Sequence, residues 1–428
     1  VGTATGGNLG LGAEVWLLLA ILSCLTVFFK FSRIFSIRNL DLLLLFALAP
    51  GMLALVGSGQ APPWGAFVWL FLGSALWLTR CLIDLGLVRR PLLEPNLNAA
   101  GLACLATGVL GLLMAETVWL PLNAGAARNP ADPQAPGDLA SDAPGIATSA
   151  AVDGRELPDA PRPGVVRWRS TQVIVSRILA VLGHLGLVAG MIVIGWRHFG
   201  RPILGLATAT CYLLLPYTRI EVVDAGQVVP AALVVAALAV YTRPALAGLL
   251  IGLAGAWMPA CLGLLGAWAG FYRGRGSSRF LGAAGLVVAI GSTLGFAWPV
   301  GASWCRALGA RSLAEAGLLP FFEPTGTGSF WSGIDPAYRL PVLVAYAALA
   351  IAVAFWPSDK DFGQLIALSA ALLVAAQFWY LARGGTLVLL YLPLVLLMMF
   401  RPNLASKRPP LRPSRRERAS ATLSAIGP

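Results

Sequence analysis

The sequence predicts an all-α, polytopic membrane protein with about eleven transmembrane helices and one re-entrant helical pair. Three observations predict it. Hydrophobic residues make up 57% of the 428 and charged residues only 12%, against about 45–50% and about 25% in soluble domains. Apolar stretches recur along the chain, and about 18 such residues reach across a hydrocarbon core of roughly 30 Å. Arginine and lysine gather in the links between those stretches and in the C-terminal segment. Inside lipid no water satisfies the backbone, so the runs are helices. A membrane β-barrel needs short alternating segments, and the sequence has none.

The net charge of +12 lies where orientation signals lie, so it reads as topology rather than as a nucleic-acid footprint. Membrane lipids are the expected partners, and no nucleic acid is. The chain divides into four regions: an N-terminal membrane region with four spans at 1–121, a Pro-, Ala- and Asp-rich outer loop at 122–171, a C-terminal membrane core at 172–400 and a basic tail at 401–428. The Gly- and Thr-rich segment before Glu14 has no basic n-region, so a cleavable signal is not expected there.

The first run, 15–29, ends at Lys30, Arg33 and Arg38. That cluster belongs in the cytoplasm, which puts the N-terminus outside. The second run, 40–56, is kinked by Pro50-Gly51. The third, 64–88, opens on Trp64 and Trp69 and carries Arg80 and Asp84 on one helix face. These two read either as an intramembrane ion pair or as a pair near the cytoplasmic end, with Arg80 snorkelling toward Arg89 and Arg90. The fourth run, 98–120, holds Glu116 near its outer end. The stretch 123–169 lacks apolar periodicity and reads as a disordered outer loop.

The fifth run, 172–196, holds Arg177 and His184, and His184 needs a partner at mid-membrane. The sixth, 202–216, leads outward to a polar island at 217–227. The seventh, 228–241, is short for a span, so it begins within the island or runs past Arg243. The segment 245–272 is broken by Trp257-Met258-Pro259, with Arg243 before it and Arg273 and Arg275 after it. One crossing would put one cluster outside, so it dips in and returns. The remaining spans are 280–300, 340–356, 364–381 and 386–400, with a short interfacial helix at 308–319. The tail from Arg401 reads as disordered, cytoplasmic and suited to anionic headgroups.

The six cysteines form no CxxC pair and read as small buried hydrophobes, and two histidines make a histidine metal site improbable. No cofactor is indicated, although a divalent metal is compatible with the chain. No phosphate loop, HExxH or GxSxG motif is present. GxxxG-like spacings such as Gly248 to Gly252 read as close helix packing.

The island is where chemistry is expected. Its sequence TRIEVVDAGQ gathers Arg219, Glu221, Asp224 and Gln227 at one outer face. A carboxylate at that boundary, Asp224 or Glu221, can take a proton from an acceptor hydroxyl. Arg219, with Arg339 from the last outer segment, can hold a lipid-linked phosphate by paired donors. An ordinary polar interhelical turn is the other reading of the same residues.

Residues 224–275 resemble the core of the GT-C membrane glycosyltransferases, and more narrowly the polyprenyl-phosphate-sugar-dependent mannosyltransferase-like family. The likeness lies in Gly226-Gln227 opening a span, the basic link at Arg243 and the apolar segment 247–254. It implies sugar transfer from a polyprenyl-phosphate donor at the outer face. Two features depart from the family. Trp257-Met258 stands where a lysine usually precedes the proline, and no acid follows the first span on the outer side. The second expectation is therefore a non-enzymatic membrane protein: a transporter, a scaffold or an inactive relative.

Overall fold

The computed structural model describes residues 12–57, 64–87, 92–119, 163–296, 299–312, 330–331, 334–381 and 384–409. Among these residues all regular structure is helical. In chain order the α-helices are α1 (Ala13–Phe28), α2 (Ile37–Phe46), α3 (Ala49–Gly57), α4 (Trp64–Ile83), α5 (Ala99–Trp119) and α6 (Pro163–Arg197). There follow α7 (Pro202–Leu214), α8 (Pro216–Ile220), α9 (Ala225–Ala239), α10 (Pro244–Trp257) and α11 (Leu264–Phe271). The last are α12 (Ser277–Phe296), α13 (Pro299–Ala307), α14 (Arg339–Phe355), α15 (Phe362–Trp379) and α16 (Val388–Phe400). Six helical stretches are long and apolar enough to cross a membrane: Ile37–Val56, Trp64–Gly86, Ala99–Trp119, Thr171–Arg197, Pro336–Phe355 and Phe362–Trp379.

The bundle has two chemically distinct ends. Helix α1 starts with Trp16 beneath the Arg219 guanidinium and finishes with Phe28 against Phe400. Hence the island and the C-terminus of α16 lie at opposite ends. The links carrying most of the basic residues share the α16 C-terminal end. Arg80, Arg401 and Arg275 are joined there to Asp41, Asp84 and Pro409.

Proline decides where the second apolar run breaks. The ring of Pro50 would strike the carbonyl of Phe46, four residues earlier, and Phe46 is the last residue of α2. The break frees nearby carbonyls in an apolar setting. Trp69 Nε1 donates to Ala47 O at 2.6 Å, and Tyr217 Oη donates to Leu45 O at 2.6 Å. The re-pairing of freed backbone groups by neighbouring helices is what makes such a break tolerable.

The Trp257–Pro259 interruption reverses the chain. Glycines of α10 abut α12 in matching order: Gly248 meets Phe280, Gly252 meets Ala284 and Gly255 meets Val288. Both helices therefore run the same way, and the segment between them must return. It does so through a 3-10 turn, Pro259–Gly263, and then α11. The GxxxG-like spacing thus marks a close helix contact. A Cβ on Gly252 would sit 2.7 Å from the Ala284 carbonyl oxygen.

Helices α6 and α9 also run parallel, with Gly183, Gly186 and Gly190 against Val228, Ala232 and Val235. Two histidines fasten the pair near its ends. His184 Nε2 lies 3.1 Å from Val222 O, and His198 Nε2 lies 2.8 Å from Ala239 O. At the centre, all thirteen residues of α16 are buried, and so is nearly all of α15. Helices apolar all round belong in a core.

Several boundaries differ from the sequence reading. Helix α6 reaches back to Pro163, so 163–169 is helical rather than loop. A helix not expected, α13 (Pro299–Ala307), precedes the short helix expected at 308–319, of which 308–312 are not helical and 313–319 lie outside the described residues. So do 120–162, which hold most of the expected outer loop, the segment 1–11 and the tail beyond 409. The start of the tail is docked, not disordered. Arg401 is buried, Phe362 N donates to Lys407 O at 2.9 Å, and Arg275 donates to Pro409 O at 2.9 Å.

Nor does Arg80 snorkel outward. Its Nε and Nη2 reach the two Asp41 oxygens at 2.6 Å each, and its Nη1 reaches Asp84 Oδ1 at 3.1 Å. Arg401 Nη2 then reaches Asp84 Oδ2 at 2.7 Å. Asp41, Arg80, Asp84 and Arg401 alternate in sign, so each buried charge has an opposite neighbour.

The α10–α12 contact gives a test. Gly252→Leu should destabilise the protein by about 1–3 kcal/mol through overpacking. Gly282→Ala, on α12 with no atom within 4 Å of its added Cβ, should not. Thermal unfolding in detergent micelles would compare them, and equal melting temperatures would refute the packing account.

Candidate functional site

The island is built by one proline and one aspartate. Pro216 opens α8 and holds Leu215 extended, at φ −64 and ψ 141, which ends α7. Thr218 Oγ1 donates back to Tyr212 O, a carbonyl near the C-terminus of α7. Helix α8 lasts five residues and stops at Glu221. Asp224 then caps α9 by accepting from Gly226 N at 3.0 Å.

Arg219 points into the bundle. Its Nε lies 3.1 and 2.8 Å from the two oxygens of Glu116 on α5, and its guanidinium stacks 4.8 Å over Trp16 of α1. Both partners of the pair are buried, at 6% and 2% side-chain exposure. The expected phosphate holder is thus already matched by a carboxylate. Glu116 was visible as an ionisable residue near the outer end of an apolar run. The rule that such a group needs an opposite partner calls for a cation at that end of the bundle without selecting Arg219.

Asp224 and Glu221 are both half-buried. Asp224 is engaged through each oxygen, by Gly226 N and by Gln227 Nε2 at 2.9 Å. Gln227 is fully buried and ties three elements together. Its Nε2 also donates to Thr386 O at 3.2 Å, and its Oε1 accepts from Leu389 N at 3.1 Å. Gln377 of α15 does the same for Leu387 N at 2.9 Å, and its Nε2 donates to Ser74 Oγ at 2.9 Å. The first N–H groups of a helix have no partner within it. Two glutamines from other helices take up Leu387 N, at the cap of α16, and Leu389 N in its first turn.

Arg339 is the first residue of α14, a poor place for a cation by the helix dipole. It is buried because it serves another helix. Its Nη2 donates to Trp379 O at 3.1 Å, the last residue of α15, and it lies 6.0 Å from the Trp331 ring. A cation at a helix C-terminus is favourable. Arg219, Glu221 and Asp224 therefore share one turn, whereas Arg339 belongs to the neighbouring end of α15. Both reach the same region through the 384–389 segment: Gln227 bonds Thr386, and Gly384 faces Trp331.

Gly226 and Gln227, which carry the family likeness, each have a structural task. Gly226 lets the backbone of Gly309 cross it, where a Cβ would lie 2.9 Å from the Gly309 oxygen. Met258, standing where a lysine is usual, is buried, and Trp257 O accepts from Arg311 N at 2.9 Å.

His184 is fully buried with both ring nitrogens engaged. Val222 O can only accept, so Nε2 carries a hydrogen, and Nδ1 pairs with Tyr212 Oη at 2.9 Å. The ring thus fastens α6 to α7 and to the turn before α9. Among the described residues no group of three His, Cys, Asp or Glu is placed to hold a metal ion.

No family model matches this chain, and neither does any curated protein or solved structure.

The Arg219–Glu116 pair makes a measurable prediction. Glu116→Gln leaves a buried guanidinium uncompensated and should cost about 3–5 kcal/mol. Glu116→Gln combined with Arg219→Gln should recover most of that loss. Melting curves of the three variants would show it, and an additive double variant would contradict the pairing.

Proposed function

We propose that this chain is a GT-C-like membrane glycosyltransferase working at the outer face of the membrane. It transfers a sugar from a polyprenyl-phosphate donor to an acceptor hydroxyl. Glu221 or Asp224 takes the acceptor proton as the oxygen attacks the anomeric carbon. The carbon–oxygen bond to the phosphate breaks, and the leaving polyprenyl phosphate is held by Arg339 and by Arg219, whose guanidinium must turn to it from Glu116. The observation that carries the reading is one turn bearing two half-buried carboxylates beside a guanidinium, at the end of the bundle away from most of the basic links.

The topology that goes with this reading has eleven crossings. They are α1, α2 with α3, α4, α5, α6, α7, α9, α12, α14, α15 and α16. The α10–α11 hairpin is the re-entrant pair, entering and leaving on the basic side. The basic links face the cytoplasm of a bacterial inner membrane, with the N-terminus outside and the C-terminus inside. A transporter needs a polar path at mid-membrane. The two places where such a path was expected are His184, whose ring nitrogens are bonded to Val222 O and Tyr212 Oη, and the broken helix at Pro259, which is buried.

Two experiments test the proposal. Asp224→Asn keeps the acceptor that caps Gly226 N but sets its NH2 against Gln227 Nε2, and Glu221→Gln keeps the shape, so a melting curve of each variant accompanies the assay. Together the two substitutions should lower sugar transfer in membrane vesicles by about 10²–10⁴-fold, read by glycolipid profiling. Unchanged transfer would remove both residues from the chemistry. For topology, cysteine introduced at Ser141 should react with a membrane-impermeant reagent in intact cells, and cysteine at Ser358 should not. The reverse pattern would place the island in the cytosol.

A further inference from the structure

The link between α1 and α2 displays apolar side chains on a fixed frame. Phe35 is wholly exposed, Phe31 is 71% exposed and Ile34 is 59% exposed. Such exposure in a link would ordinarily mean a loose loop. This link is tied down from beneath by Asn39, which is fully buried. Its Nδ2 donates to Lys30 O at 3.0 Å and to Ile34 O at 3.2 Å, and its Oδ1 accepts from Lys30 N at 3.2 Å. The backbone of Asn39 also takes Ser36 Oγ as the cap of α2, at 3.3 Å. Phe29 and Phe31 meet edge to face at 5.0 Å. A buried amide used in this way fixes where Phe31, Ile34 and Phe35 point.

We infer that residues 31–35 form an interfacial anchor seated in the lipid leaflet at the basic end of the bundle. Its ligand is anionic phospholipid. Only eight residues separate Phe28 from Ile37, so the link cannot leave the membrane boundary. The apolar side chains have the composition that settles at the boundary of headgroups and acyl chains. Lys30 precedes the segment and Arg33 lies within it in sequence, with no acidic residue between 30 and 40, while Arg38 beyond it donates to Glu94 O at 3.3 Å. Cationic side chains beside inserted apolar ones favour a negative leaflet surface. The anchor does not depend on sugar transfer and would hold equally for a membrane protein with another activity.

The test is a depth measurement on the whole protein in phosphatidylcholine nanodiscs, with and without phosphatidylglycerol. Cys104→Ser and Cys305→Ser remove the two cysteines that are not buried. A spin label is then placed by Phe35→Cys, with Phe31→Cys as a second site and Ser358→Cys as a control on the exposed 356–359 link at the same end. Labels at 35 and 31 should be several-fold more accessible to oxygen than to a water-soluble nickel chelate, about 5–10 Å below the phosphates. The control should show the opposite preference. Phosphatidylglycerol should deepen the labels, and Lys30→Gln should reduce that deepening. Nickel accessibility equal to the control would overturn the anchor. Protection from both agents would show a protein surface covering the link instead. Equal depth in the two kinds of disc would overturn the choice of anionic lipid.

Discussion

Helix α16 is the constraint on which the arrangement depends. All thirteen of its residues are buried, so neither water nor lipid headgroups can complete its ends. The start is completed by Gln227 and Gln377, reaching from α9 and α15 to Leu389 N and Leu387 N. The finish is held by Arg401 on Asp84. Gly363 leaves the space that the Arg401 guanidinium fills. An unpaired buried amide costs about 1–3 kcal/mol, so α9, α15 and α4 are all bound to the position of this one helix. The island is joined to this helix through the same Gln227, which also bonds Asp224.

Charges in the interior follow one rule. Arg219 has Glu116 and Arg80 has Asp41. Asp84 lies between Arg80 and Arg401. Two further cations are set against carbonyls at helix ends. Arg339 meets the end of α15, and Lys360 donates to Ala354 O and Pro357 O at the end of α14. Helix termini thereby act as the counter-charges that a low-dielectric interior would otherwise lack. The candidate site grows out of the same arrangement, since the groups proposed for chemistry also hold the turn together.

Much of the fold is legible in the sequence because hydropathy and proline are local signals. The positions of most runs follow from composition, and the reversal after Trp257 follows from basic residues on both sides of one apolar segment. The break in the second run was expected near Pro50, and it falls at Phe46 because the clash acts four residues back. The site was less legible. Arg219 was expected to face a phosphate, and nothing local ties it to Glu116, 103 residues earlier. Arg339 was read as part of an outer segment, and its role at Trp379 depends on which helices become neighbours. Long-range pairing of this kind leaves no spacing in the chain to read. The docked start of the tail is a further case, because a run of arginine and proline looks disordered until Asp84 is seen beside it.

The hairpin of α10 and α11 has a consequence for how the protein is made. The glycine face of α10 is shaped for α12, which the ribosome has not yet produced when α10 emerges. The helix made first in this region is therefore completed by the partner made last.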